Sequence, residues 1–110
     1  MDRKLAELKD TVRELLQNLS KRIDDLAGVC DDTGDIDAER LVNLFEDLHS
    51  LAEGINILKN YYSSIDMTEF REKIDMMEKA MEEQDMILLS DIMKYELRDL
   101  LGFWEKCLAS

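Results

Sequence analysis

The chain has 110 residues, 45% hydrophobic and 36% charged, with no Pro and only four Gly. That length makes one domain over 1–110, and the composition is that of long amphipathic helices rather than of a disordered segment. With 26 acidic against 14 basic side chains, a formal net charge of −12 repels phosphate backbones and anionic headgroups, so neither nucleic acid nor a membrane is expected as a partner.

No apolar run approaches the roughly 20 residues that a membrane span needs. The opening residues, Met-Asp-Arg-Lys-Leu-Ala-Glu-Leu, alternate charge with apolar side chains and lack the stretch of a signal peptide. The expected compartment is the cytoplasm, where Cys30 and Cys107 stay reduced.

The first predicted helix covers about 2–27. Leu5, Leu8, Val12, Leu15, Leu19 and Leu26 recur at helical spacing, Arg22 interrupts the series, and Leu16 and Ile23 widen the face. A loop follows over 28–37, with Gly28 free to take the left-handed conformation that closes a helix. Asp35 or Asp37 then offers a carboxylate to the free amides of the next helix.

The second helix, about 38–63, is the most strongly patterned. Leu41, Leu44, Leu48, Leu51, Ile55, Leu58, Tyr62 and Ile65 keep the three-four rhythm, thickened by Phe45 and Ala52. After a break at Ser63, Ser64 and Asp66, the spacing of Asp66 and Glu69 is that of a capping box opening a third helix over 67–84. Its face is Met67, Phe70, Ile74, Met77 and Met81. Asp85 opens a fourth helix over 85–108, with Met86, Leu89, Met93, Leu97, Leu100, Trp104 and Cys107 in line and Leu88, Ile92, Leu101 and Phe103 beside them.

Short links between long helices favour antiparallel neighbours, so the expected fold is an all-α, up-down-up-down four-helix bundle. The junction at Gln84-Asp85 has neither Gly nor Pro. Without it the third and fourth helices would merge into one that only a dimer could bury. The bundle also places Cys30 and Cys107 at opposite poles, beyond the reach of a disulfide.

Three constellations invite chemistry. Aligning Gly34 with the turn glycine of a calcium loop puts Asp31, Thr33, Asp35 and Asp37 at ligand positions, but Val29 and Arg40 fall where the two most important ligands belong. Glu46 and His49 have the Glu-x-x-His spacing of di-iron bundles, yet they lie away from the Leu44, Leu48, Leu51 face, and His49 is the only histidine. The acidic pairs Asp24-Asp25 and Glu82-Glu83 fall where helices expose charge, not in a pocket that would tune a general acid or base. A glycine-rich phosphate loop and a nucleophile elbow are both absent from the sequence. No catalytic, cofactor-binding or metal residue is therefore assigned, and no enzymatic activity is expected.

The fourth helix is less uniform. Lys94-Tyr95-Glu96-Leu97-Arg98-Asp99 sets polar groups in an apolar neighbourhood. Glu96 pairs there with Arg98, Lys94 or a tyrosine hydroxyl, or else anchors a partner. Met76, Met77, Met81, Met86 and Met93 cluster in the same half; methionine fills irregular cores and also populates adaptable binding faces. Met76 lies off its helix stripe. With Tyr95, Glu96, Leu101, Phe103 and Trp104 it forms the expected partner surface on the third and fourth helices.

The stretch from Gln84 to Leu97, with Asp85, Asp91, Tyr95, Glu96 and Leu97 and the later Trp104, resembles a pattern found in small uncharacterised all-helical proteins of Gram-positive bacteria. The resemblance implies a bacterial helical bundle and carries no activity with it. The function expected from the whole sequence is protein–protein contact, as an adaptor, chaperone or regulatory partner. The alternative is a structural homodimer; a bundle holding a metal or small ligand is a more distant third.

Overall fold

The computed structural model describes residues 3–109, so Asp2, the expected start of the first helix, lies outside the described residues, as do Met1 and Ser110. The first helix, α1 (Arg3–Thr33), runs six residues past the expected stop. Gly28 does not end it, because Ala27 and Cys30 continue the buried face and the Cys30 thiol donates to the Met86 carbonyl oxygen at 3.3 Å. That packing outweighs the cost of about 1 kcal/mol for an internal glycine. Gly34, at φ +75°, closes the helix instead, its amide bonding the Cys30 carbonyl at 2.7 Å. At 1.5 Å per residue α1 is roughly 46 Å long, matching the 46 Å long axis of the molecule. The centre of its buried face is Leu16, Leu19 and Ile23, with Leu15 at the margin.

Asp37 caps α2 (Ala38–Leu58), accepting from the amides of Glu39 and Arg40. The helix ends five residues before the expected 63 and unwinds through single turns, such as Tyr61 N–H to Leu58 O and Ile65 N–H to Tyr62 O. These turns bury Ile65 against the core while the chain reverses. Asp66 caps α3 (Met67–Glu82) through the amide of Thr68 at 2.9 Å.

The junction without Gly or Pro is a helix stop all the same. Gln84 takes φ +57°, the Gln84 amide bonds Met81 O at 3.0 Å, and the Asp85 amide bonds Ala80 O at 2.9 Å. This is a Schellman motif with glutamine in the left-handed position. Asp85 then caps the next helix through the amide of Leu88, so the merged-helix alternative does not hold.

That fourth helix, α4, comprises Met86–Asp91, a π-helical stretch Ile92–Leu97, and Arg98–Ala109. Within the π stretch the Arg98 amide reaches back five residues to Met93 O, placing an additional residue in the turn. From its last residue onward, Leu97, Leu100, Leu101, Trp104 and Leu108 form one wide buried face.

The fold is thus an all-α four-helix bundle, with no strand among the described residues. Cross-helix pairs run in opposite order along neighbouring helices. Residues 22 and 12 of α1 meet 47 and 54 of α2, residues 31 and 24 of α1 meet 94 and 98 of α4, and residues 73 and 70 of α3 meet 96 and 104 of α4.

Candidate functional site

Three edges of the bundle are clamped by ion pairs. Arg22 joins α1 to Asp47 on α2. Lys94 lies 2.6 Å from Asp31 and Arg98 3.3 Å from Asp24, joining α4 to α1. Lys73 lies 2.8 Å from Glu96, joining α3 to α4. The fourth edge, between α2 and α3, has among the described residues only the pair His49 and Glu78, 3.9 Å apart and both exposed. The backbones along this edge approach one another less closely than those along the other three. Residues 59–66 tether α2 to α3 at one pole.

Along this edge, away from the tether, lies a groove of about 430 Å³ lined by Val42, Phe45, Glu46, His49, Glu78, Met81 and Glu82. Val42 and Met81 also line an adjoining recess of about 510 Å³, with Ile36, Leu41 and Met86 in its wall. Phe45, Ile36 and Leu41 are buried floor, whereas Val42 stays 48% exposed. Ile87, next in sequence to Met86, is 75% exposed. The floor is therefore apolar and the rim carries Glu46, Glu78 and Glu82, of which Glu46 and Glu82 form no ion pair among the described residues.

The expected partner surface is only partly assembled. Tyr95, Glu96 and Phe103 line one recess with Glu69, Lys73, Asp99 and Leu100, and Tyr95 is 63% and Phe103 47% exposed. Met76 is exposed outside that recess. Leu101 and Trp104, in contrast, are completely buried, which corrects their assignment to a surface. Leu101 follows Leu97 by four residues and Trp104 follows it by seven, so both turn inward on the wide face beyond the π stretch. The Trp104 ring packs on Phe70 with centroids 5.1 Å apart, while its indole N–H meets no acceptor.

Glu96 resolves to a partner that sequence reasoning did not name, Lys73 of α3. The hydrogen bond from the Lys73 ammonium to Glu96 holds the ammonium above the usual lysine range. Likewise the Lys94 ammonium beside Asp31 holds that carboxyl below the usual aspartate range. Of the ligand positions in the calcium alignment, Asp31 thus serves a bundle edge and Asp37 serves as a cap. Among the described residues no three His, Cys, Asp or Glu side chains converge as metal ligands. Burial of the Cys30 thiol raises its pKa.

Val42 and Phe45 give no site signal in the sequence, because they flank a regular α2 stripe and look like its ordinary margin, and Glu46 and His49 stand out there only through their Glu-x-x-His spacing. Met81 and Met86 carried the one legible signal, as members of the methionine cluster.

Fold and groove together define a helical-bundle protein with one unsealed edge, and among the described residues no helix is long and apolar enough to cross a membrane. The chain belongs to the family described as a domain of unknown function, DUF8042, which matches residues 5–107. No curated protein and no solved structure matches it.

Proposed function

We propose that the protein acts by non-catalytic protein–protein contact in a bacterial cytoplasm, as an adaptor, chaperone or regulatory partner, and that it binds a partner segment in the groove between α2 and α3. One observation carries this reading: three helix pairs are clamped by short ion pairs, while the α2–α3 edge leaves a groove with Val42, Phe45 and Met81 as its apolar lining. An apolar groove flanked by charge suits helix-in-groove recognition. Met81 and Met86 on its wall add side chains that adapt to varied partners. The acidic surface speaks against nucleic acid and anionic membranes as that partner.

The test is site-specific photo-crosslinking in cells, with a benzophenone amino acid replacing Val42 in the groove or Tyr61 at the opposite pole. A discrete protein adduct at Val42 and none at Tyr61 is the expected result. Equal labelling at both positions, or none at either, would sink the reading.

A homodimer is the second reading, favoured by the exposed aromatics Tyr95 and Phe103 on one recess. Light scattering over a range of concentrations decides it, since a strict monomer removes it.

A further inference from the structure

Resting on that groove reading, we propose that the occupant is a single basic amphipathic helix of about three turns, with apolar residues on the face it buries and Lys or Arg along its flanks.

A segment entering an apolar groove must satisfy its own backbone hydrogen bonds. The described residues offer no strand edge to pair with, so an extended peptide would leave its amides and carbonyls unmet on the floor. A helix bonds its backbone internally and lays an apolar stripe between two helices, as bundle neighbours do. The length follows from the lining residues: from Ala38 to His49 along α2, the groove extends roughly 16 Å, or about three helical turns.

The rim sets the sign of the occupant's charge. Glu46 stands on the α2 side, Glu78 and Glu82 on the α3 side, and Asp35 at the mouth of the adjoining recess. His49 is the only cationic candidate along this lining, and it already faces Glu78. A helix with lysines on both flanks meets carboxylates on both walls. A second copy of this chain would bring another net charge of −12 and set like charge against like, which disfavours self-association here.

The test titrates the full chain into three fluorescein-labelled peptides and follows anisotropy, with backbone amide NMR shifts mapping the site. One peptide places Leu on a single helical face and Lys elsewhere. The second has the same composition scrambled so that no apolar face forms. The third keeps the Leu pattern but replaces Lys by Glu. The Leu/Lys helix is expected to shift Val42, Phe45, His49 and Met81 and to bind about tenfold more tightly than the Leu/Glu helix, the sum of several exposed charge pairs. Added salt is expected to narrow that gap. Reversing the exposed rim with Glu46→Lys and Glu82→Lys is expected to remove the preference without disturbing the buried floor.

Equal binding of the Leu/Lys and Leu/Glu helices at the groove residues overturns the charge assignment and leaves the groove reading standing. Binding of the scrambled peptide as tight as the patterned one, or shifts on another acidic face, overturns the amphipathic-helix assignment. Concentration-dependent shifts of the groove residues with no peptide present assign the groove to a second copy and overturn it as well. Failure of all three peptides to shift the groove residues overturns both readings.

Discussion

A Cβ atom placed on Gly54 would lie 2.7 Å from Cγ2 of Val12. The glycine at the middle of α2 is therefore where the backbone of α2 comes down onto α1, not an unexplained break in helix propensity. Alanine there gains about 1 kcal/mol of propensity but drives a methyl group into a β-branched side chain with little rotamer freedom. Gly54→Ala is expected to destabilise the fold by about 1–2 kcal/mol net. Adding Val12→Ala to Gly54→Ala is expected to cost less than the two single changes summed. Urea denaturation of the four proteins measures the coupling, and strict additivity would refute the contact.

Leu101 and Phe103 lie two residues apart and face opposite ways, one completely buried and one 47% exposed. Leu101→Glu places an unpaired carboxylate in the core beside Leu97 and Trp104 and is expected to cost about 4 kcal/mol or more. Phe103→Glu is expected to stay within about 1 kcal/mol of the parent. Thermal unfolding by circular dichroism separates them. The fluorescence of Trp104, the single tryptophan, should shift to the red only in the Leu101 variant.

The π stretch makes an unusual demand on chain length. Deleting the exposed Tyr95 leaves Ile92 and Leu97 at a spacing of four and Met93 and Leu97 at three, both compatible with one face of a regular α-helix. This deletion is expected to preserve helical content at a cost below about 2 kcal/mol. Deleting Glu72 from the regular α3 rotates everything after it by about 100° and should cost more than about 4 kcal/mol, as core disruptions do. Similar unfolding midpoints for the two deletions would show that the additional residue of the π turn is not what aligns the buried face.

The pair Asp31–Lys94 links stability to pH at both extremes. Asp31 titrates below the ordinary aspartate value of 3.8, chiefly because Lys94 donates to it. Its stabilisation is thus present above that ordinary value and lost as pH falls through the lower folded one. Lys94 titrates above the ordinary 10.5, chiefly because of its bond to Asp31. That contribution is present below 10.5 and lost as pH rises through the higher folded value. Asp31→Asn should therefore lower stability by a near-constant amount between about pH 5 and 9, the gap closing toward either limit. Denaturation midpoints across pH measure it; a gap independent of pH would rule out the ion pair as its source.

Much of this architecture was legible from local rules. Periodicity placed four helices, and Asp37, Asp66 and Asp85 stand as the caps their positions suggested, because a cap needs only neighbours a few residues away. Helix ends were less legible. Gly28 has the chemistry of a stop and was overruled by burial of Ala27 and Cys30. Gln84 lacks that chemistry and became a stop, because Asp85 begins a helix that must fold back along α3.

By itself, then, the sequence determined a helical chain of strongly negative charge, with one continuous apolar face per helix. Both are sums over residues or over a single helical period. Only the tertiary structure decided that Leu101 and Trp104 face inward, that Lys73 answers Glu96, and that α2 and α3 part while the other edges close. The physical reason is that Val42 and Phe45 follow the same periodicity whether or not a neighbour covers them. Coverage depends on how side chains far apart in sequence share one core, and here that core closes on α1 and leaves the α2–α3 edge open.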